Sequence, residues 1–327
     1  MRDKIKALRR AFSPSQLVRK EILKQQQSYE KDPLPMIQLL GFAIVLLVVS
    51  GALLVSGGPA VFAALPFELA LIGGAAIGTV MIGNSAPVAK AAFLGFGRAL
   101  RGAKWSKSDY AGLLTLMHEL TQRARRGGIV AIERDIEHPD ESDLFAAQPP
   151  LQQDKQAVGL ICDSFRLLAL DPGMREQSVS YLQDTVGEIV EERQRAVTAL
   201  QTLADALPAL GIVAAVLGII KTMAMIDQST AVLGEMIAAA LLGTFLGVFL
   251  AYGLVGPIAN RFGQIVEEEA IYLDTIARVI TAFTQGTAPR TAIEMARASL
   301  PVALRPDISD VDSRLKVVRL QQSQKAA

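Results

Sequence analysis

The chain reads as an all-α integral membrane protein: four transmembrane helices in two hairpins, with a helical cytoplasmic domain between spans 2 and 3. Three observations predict this. Apolar runs occur in two closely spaced pairs, and about twenty such residues suffice to cross a hydrocarbon core of roughly 30 Å as a helix. The charges are segregated: the chain is 51% hydrophobic with a mean hydropathy of +0.33, yet neither hairpin loop contains Lys or Arg. The remainder carries apolar residues at helical spacing, without long alternating runs of β-branched residues.

Taken in order, residues 1–35 form a basic cytoplasmic extension. Arg2, Lys4, Lys6, Arg9, Arg10, Arg19, Lys20, Lys24 and Lys31 stand against only four acids in residues 1–32. An amphipathic helix through Ile5, Leu8 and Phe12 lying on the membrane surface, or simple charge anchoring, accounts equally for this composition. Residues 36–84 form the first hairpin, with spans at about 36–56 and 67–84 joined by the uncharged loop GGPAVFAALP. The apolar region begins too late for a cleavable signal peptide and lacks a cleavage site. Lys90, Arg98, Arg101, Lys104 and Lys107 follow the second span, so the positive-inside rule places both termini and residues 85–202 in the cytoplasm.

Residues 85–202 form the helical cytoplasmic domain. One helix uses Leu113, Leu116, Met117 and Leu120 and stops at Gly127-Gly128. A second uses Val158, Ile161, Phe165 and Leu168 and stops at Asp171-Pro172-Gly173. A third starts near Arg175 and continues into the third span. Cys162 is the single cysteine, which excludes an intramolecular disulfide, and its place on an apolar face predicts plain packing. Residues 203–259 are the second hairpin, with spans at about 203–224 and 234–257. Residues 260–327 supply a cytoplasmic C-terminal helix and tail.

The second hairpin is the most informative stretch. Ala239, Gly243, Gly247 and Ala251 recur at i, i+4 spacing, a stripe that lets helix backbones approach closely in lipid. Pro208 and Pro257 lie at the ends away from the linker, at one membrane face. Each frees a backbone carbonyl, which is tolerated only against protein or a wet pathway. Thr244 is one hydroxyl in an otherwise apolar helix, either bonded back to the i−4 carbonyl or facing a polar route. The central turns, Gly211 to Ile220 and Ala238 to Tyr252, contain no Asp, Glu, Lys, Arg or His. Lys221, Asp227, Glu235 and Glu68 fall near the outer ends on this reading. A proton relay needs an intramembrane ionisable group, so the chain either conducts nothing by itself or receives that group from a partner.

No enzyme, cofactor or metal chemistry is indicated. Gly95, Gly97 and Gly102 fit no phosphate-binding loop, and His118 and His138 have no partners at ligand spacing. The net charge of +1 averages unlike parts and gives no reason to invoke nucleic acid. The string QRARRGGIVAIERDIEHPDES concentrates Arg123, Arg125 and Arg126 against Glu133, Asp135 and Glu137. It reads either as a solvated face with a turn at His138-Pro139 or as an electrostatic docking surface that selects partners.

The strings LPALGIVAAVLGIIKTM and LLGTFLGVFLAYGLVGPIA, with RRGGIVAIERDIEHPDESDLF and GTAPRTAIEMARASL, resemble the MotA family of flagellar motor stator subunits, within the MotA/TolQ/ExbB superfamily. The likeness covers most of the chain apart from the first thirty-odd and last fifteen or so residues. It implies an inner-membrane homopentamer around a MotB pair, whose single-span helices carry the ion-binding aspartate. It also implies inward ion flow coupled to torque on a rotor switch protein of the FliG type. By position, Arg125 and Glu133 would contact the rotor, Thr244 and Ala215 would line the ion route, and Pro208 and Pro257 would move during torque generation. Sodium-driven relatives typically have threonine where this chain has Ala215, so the resemblance implies protons rather than sodium as the transported ion. A TolQ/ExbB-like energiser of envelope proteins is the alternative.

Overall fold

The computed structural model describes residues 34–56, 58–170 and 175–325. The expected surface helix through Ile5, Leu8 and Phe12, and the expected stop at Asp171-Pro172-Gly173, lie outside them. In chain order the helices are α1 (Leu34–Ser56), α2 (Pro59–Gly83), α3 (Ala86–Arg101), α4 (Lys107–Gly127), α5 (Glu133–Glu137), α6 (Asp143–Ala146), α7 (Pro149–Gln152) and α8 (Lys155–Leu170). They continue with α9 (Arg175–Met223), α10 (Thr230–Phe249), α11 (Gly256–Thr284), α12 (Pro289–Ala298) and α13 (Ile308–Lys325). A 3₁₀ turn, Ile129–Ile132, precedes α5, and a π-helical stretch, Leu250–Val255, joins α10 to α11. No strand occurs among the described residues.

Four of the described helices (α1, α2, α9 and the helix beginning at Thr230) are long and apolar enough to cross a membrane. The second differs from expectation. Its span begins by Val61 rather than near residue 67, because most of GGPAVFAALP is helical. Pro59 sits in the first turn, where its missing N–H costs nothing. Pro66 is inside the helix, which lipid-embedded helices tolerate when neighbours satisfy the freed carbonyl. At the other ends the local chemistry is plain. Ser106 and Asp109 form a reciprocal capping box that starts α4. Gly128, at φ +73°, ends α4 in a conformation that L side chains rarely adopt.

The chain forms two compact units, one from Pro33–Ala103 with Ile189–Glu268 and one from Lys104–Glu188 with Glu269–Ala327 among the residues assigned to it. In the first, the apolar unit, α10 packs along α2. The shared core includes Ile72, Ala76 and Val80 of α2, Leu203, Leu207 and Ala214 of α9, Leu242 and Leu246 of α10, and Phe262 of α11. Gly95 of α3 lies under the Phe262 ring, where an added Cβ would come within 2.6 Å of it. The outer surface of its helices carries many apolar side chains, with Leu47, Val55 and Ile82 largely exposed. A contiguous apolar surface of this kind belongs against lipid or other subunits.

The second, charged unit has a core of conventional type. Tyr110, Leu113, Leu114, Met117 and Leu120 of α4 are buried, as are Ile161 and Phe165 of α8. Trp105 stacks on Tyr272 with centroids 3.9 Å apart, and Tyr110 meets the same ring edge-on at 5.2 Å. Helices α12 and α13 pack on α4. Cys162 is buried as expected, and burial pushes its thiol up to about 12. A thiol of that kind is a packing group, because the reactive species is the thiolate.

Candidate functional site

The apolar unit holds one helix pair in unusually close contact. A Cβ placed on Gly211 of α9 would lie 2.8 Å from the Gly243 carbonyl oxygen and 2.9 Å from Gly247 Cα. One placed on Gly247 would lie 2.7 Å from the Leu207 carbonyl oxygen and 2.8 Å from Gly211 Cα. The two backbones therefore touch, which only glycine permits. Further along, Gly218 meets Ala240, whose Cβ is 2.6 Å from the corresponding point. Of the anticipated stripe, Gly243, Gly247 and Ala251 are buried, while Ala239 is half-buried and Ala240 makes the contact. The contact line advances by three and then four residues, as ridges-into-grooves packing requires. Gly211 and Gly218, seven residues apart on α9, are the partners the stripe did not reveal. Their heptad spacing is the signal that could have shown them.

Around this pair the anticipated site residues take distinct positions. Ala215 is 7% exposed, and its backbone N is 3.2 Å from the point a Gly243 Cβ would occupy. Thr244 is half-buried. Thr198, Thr202 and Thr222 of α9 each donate to the carbonyl four residues back, at 3.1, 2.9 and 2.9 Å. No such bond to the Ala240 carbonyl is found for Thr244 among the described residues, so its hydroxyl is not consumed by its own helix. Pro208 lies within α9. Pro257 is the second residue of α11, directly after the π-helical stretch. A proline cannot supply the N–H that continues the α ladder, and the wider π turn is how the chain absorbs that loss. Such single π turns concentrate at functional sites.

Glu68 departs from expectation. The anticipated position was near the outer end of its span, open to water. Because α2 starts at Pro59, Glu68 lies inside the span Val61–Gly83 and is only 5% exposed. Its Oε2 is 2.9 Å from the position of a Gly243 Cβ. Lys221, Asp227 and Glu235 are exposed.

In the charged unit, the cluster from Arg123 to Glu137 is partly neutralised within the chain. Arg123 Nη1 pairs with Asp135 Oδ2 at 3.2 Å, and Ser142 Oγ donates to the other oxygen of Asp135. Arg166 of α8 donates to Glu137 at 2.7 Å, to Asp163 at 2.8 Å and to the Ile136 carbonyl at 3.0 Å. That hydrogen-bonded guanidinium holds the Glu137 carboxyl below the usual range. Arg123, Asp135 and Glu137 thus help close the fold and are not simply an outward display. Arg125, in the last turn of α4, is exposed and donates to the carbonyls of Gly286 and Thr287 at 3.4 and 3.1 Å. Glu133, at the start of α5, is exposed, and no ion pair is found for it among the described residues.

Family models match two stretches: residues 39–128 match "Motility protein A N-terminal" and residues 159–275 match "MotA/TolQ/ExbB proton channel family". Motility protein A of Salmonella typhimurium is 34% identical over 87% of this chain and 96% of its own length. Motility protein A of Escherichia coli is 34% identical over 88% and 98%. A chain of the C. jejuni MotAB structure superposes with a TM-score of 0.65 at 18% identity, covering 83% of this chain and 97% of that one, so the two share a fold. The chain belongs to the Motility protein A family, within the MotA/TolQ/ExbB proton channel family.

Proposed function

We propose that this chain is a flagellar motor stator subunit that couples inward proton flow across the inner membrane to torque on the rotor. The observation that carries the reading is the match over residues 39–128 to the Motility protein A N-terminal model. That stretch lies outside the channel segment shared with TolQ and ExbB, and it includes the end of α4 with Arg125. The partner is a single-span protein of the MotB type that brings an ionisable aspartate, with five copies of this chain around a pair of partners. Ala215 and Thr244 line the ion route, a role that the uncommitted Thr244 hydroxyl supports. Pro208 and Pro257 permit the helices to change shape, a role that the π stretch beside Pro257 supports. Arg125 and Glu133 meet the rotor switch protein. Deleting the gene should abolish swimming while leaving flagella assembled and the envelope intact. A deletion strain that still swims, but has a leaky envelope, would favour the energiser reading.

Ala215 sets the ion. Sodium binding needs several oxygen ligands, and a methyl group supplies none. Swimming speed should collapse when a protonophore removes the proton gradient and should persist in sodium-free medium. Speed that scales with external sodium at fixed pH would overturn this assignment.

The charged unit and both termini belong on the cytoplasmic side by the positive-inside rule. Cys162 makes the check direct, because a thiol so buried reacts slowly without being removed. Ala146 is exposed, so Ala146→Cys should be labelled by a membrane-impermeant maleimide in lysed cells and inverted vesicles, and not in intact cells. Labelling from outside would reverse the topology.

A further inference from the structure

We propose that Glu68 is a proton-binding group on the translocation route, contributed by this chain in addition to the aspartate of its partner. The proposal rests on the stator reading above. Glu68, the tenth residue of α2, is 5% exposed, and its Oε2 is a buried oxygen with no hydrogen-bond partner among the described residues. From Val61, seven residues of helix place it about 10 Å inside the span. The oxygen occupies the space that Gly243 leaves by having no side chain; Ala214 Cβ and Ala215 N flank the same point at 3.0 and 3.2 Å. The carboxyl is thus seated on the glycine-lined face of α10, beside the residues read as lining the ion route. Thr244 follows Gly243 directly in sequence.

No countercharge lies in the stretches of α2, α9 and α10 that meet it, and Lys90, Arg98 and Arg101 of α3, which also packs on α2, follow the opposite end of α2 in sequence. Glu68 is the only Asp, Glu, Lys, Arg or His in α1 and α2. Helix α9 has none between Asp205 and Lys221, and α10 has none after Glu235. An isolated carboxylate in such surroundings is strongly disfavoured unless it is protonated or meets water and a partner's polar group. A group held between those two conditions can take a proton from an outer water and release it to the partner's carboxylate, leaving its own oxygen to be reprotonated. A purely structural carboxyl would instead stay protonated throughout. The two cases differ in whether titration matters.

The test uses the whole stator, this chain together with its single-span partner. Glu68→Gln keeps shape and hydrogen-bonding capacity but cannot bind and release a proton; Glu68→Asp keeps the chemistry with a shorter reach. The Gln variant should assemble normally, lose about tenfold or more in proton flux in liposomes and in swimming speed, and lose one protonated-carboxyl band from the infrared difference spectrum recorded on changing pH. The Asp variant should recover more flux than the Gln variant. Wild-type flux in an assembled Glu68→Gln stator would overturn the proposal. So would an Asp variant no better than Gln, or an infrared spectrum unchanged by the substitution. The stator reading fails separately, if the unmodified complex neither restores swimming to a deletion strain nor conducts protons.

Discussion

Gly247→Ala should cripple the motor, while Gly234→Ala on the same helix should leave it swimming. The difference lies in what one added methyl group meets. At Gly247 the new Cβ would lie 2.7 Å from the Leu207 carbonyl oxygen and 2.8 Å from Gly211 Cα, and both are backbone atoms. A flexible side chain can turn aside, but two helices can make room only by separating. Overpacking of a core that cannot yield costs roughly 1–3 kcal/mol or more, and separation would also disturb the Gly211–Gly243 contact on the same line. At Gly234 nothing lies within 4 Å of the added Cβ, and exchanging glycine for alanine inside a helix is worth about 0.5–1 kcal/mol in stability. Gly247→Ala should therefore lower the midpoint of thermal unfolding of the purified complex and abolish most swimming in soft agar, and Gly247→Leu should prevent assembly altogether. Gly234→Ala should match or exceed the unmodified complex in stability. If Gly247→Ala swims normally, backbone contact between α9 and α10 is not needed for function.

The spans were legible because lipid demands long uncharged helices, and the runs beginning near Met36 and Leu203 meet that demand in any environment. The start of α2 was not. GGPAVFAALP carries no charge, so nothing in its composition separates a loop from a helix in lipid, and Pro66 reads as the end of a loop when it is an interior residue. The depth of Glu68 went astray for the same reason. A helix beginning near residue 67 would put Glu68 in its first turn, at the water interface, whereas a helix beginning at Pro59 carries it well inside. The glycine stripe on α10 was visible as spacing, but its partner Gly211 was visible only as another small residue. The charged cluster was legible in content and not in arrangement. Arg123 finds Asp135 across twelve residues, and Glu137 finds Arg166 across twenty-nine, pairings that depend on how α4, α5 and α8 fold against each other. The end of α4 was the easier case, because Gly128 acts locally.

Under the proposed rotor contact, those internal pairings leave Glu133 as the more telling charge and make Glu133→Lys the sharper of two expected losses. With Arg123 held by Asp135 and Glu137 by Arg166, the exposed Glu133 keeps its charge available for a partner. On that proposal its reversal removes an attraction and adds a repulsion without breaking a side-chain hydrogen bond or ion pair among the described residues. Arg125 serves the fold within the chain, since its guanidinium donates to the Gly286 and Thr287 carbonyls ahead of α12. Arg125→Glu would place a carboxylate against those oxygens, so part of its effect would be structural. Exposed ion pairs are worth about 0–1 kcal/mol, which suits a contact that is made and released at every step of rotation. Neutralisation by Glu133→Gln should accordingly weaken rotor engagement by no more than about fivefold, with swimming slowed but retained. Glu133→Lys should slow swimming further and should be relieved by an opposite reversal on the rotor protein, with membrane insertion and partner assembly unchanged. Raising ionic strength inside permeabilised cells should narrow the gap between the Gln and Lys variants, because screening weakens exposed charges first. Equal swimming by Glu133→Lys and the unmodified stator would show that α5 presents a solvated face and that the rotor grips elsewhere.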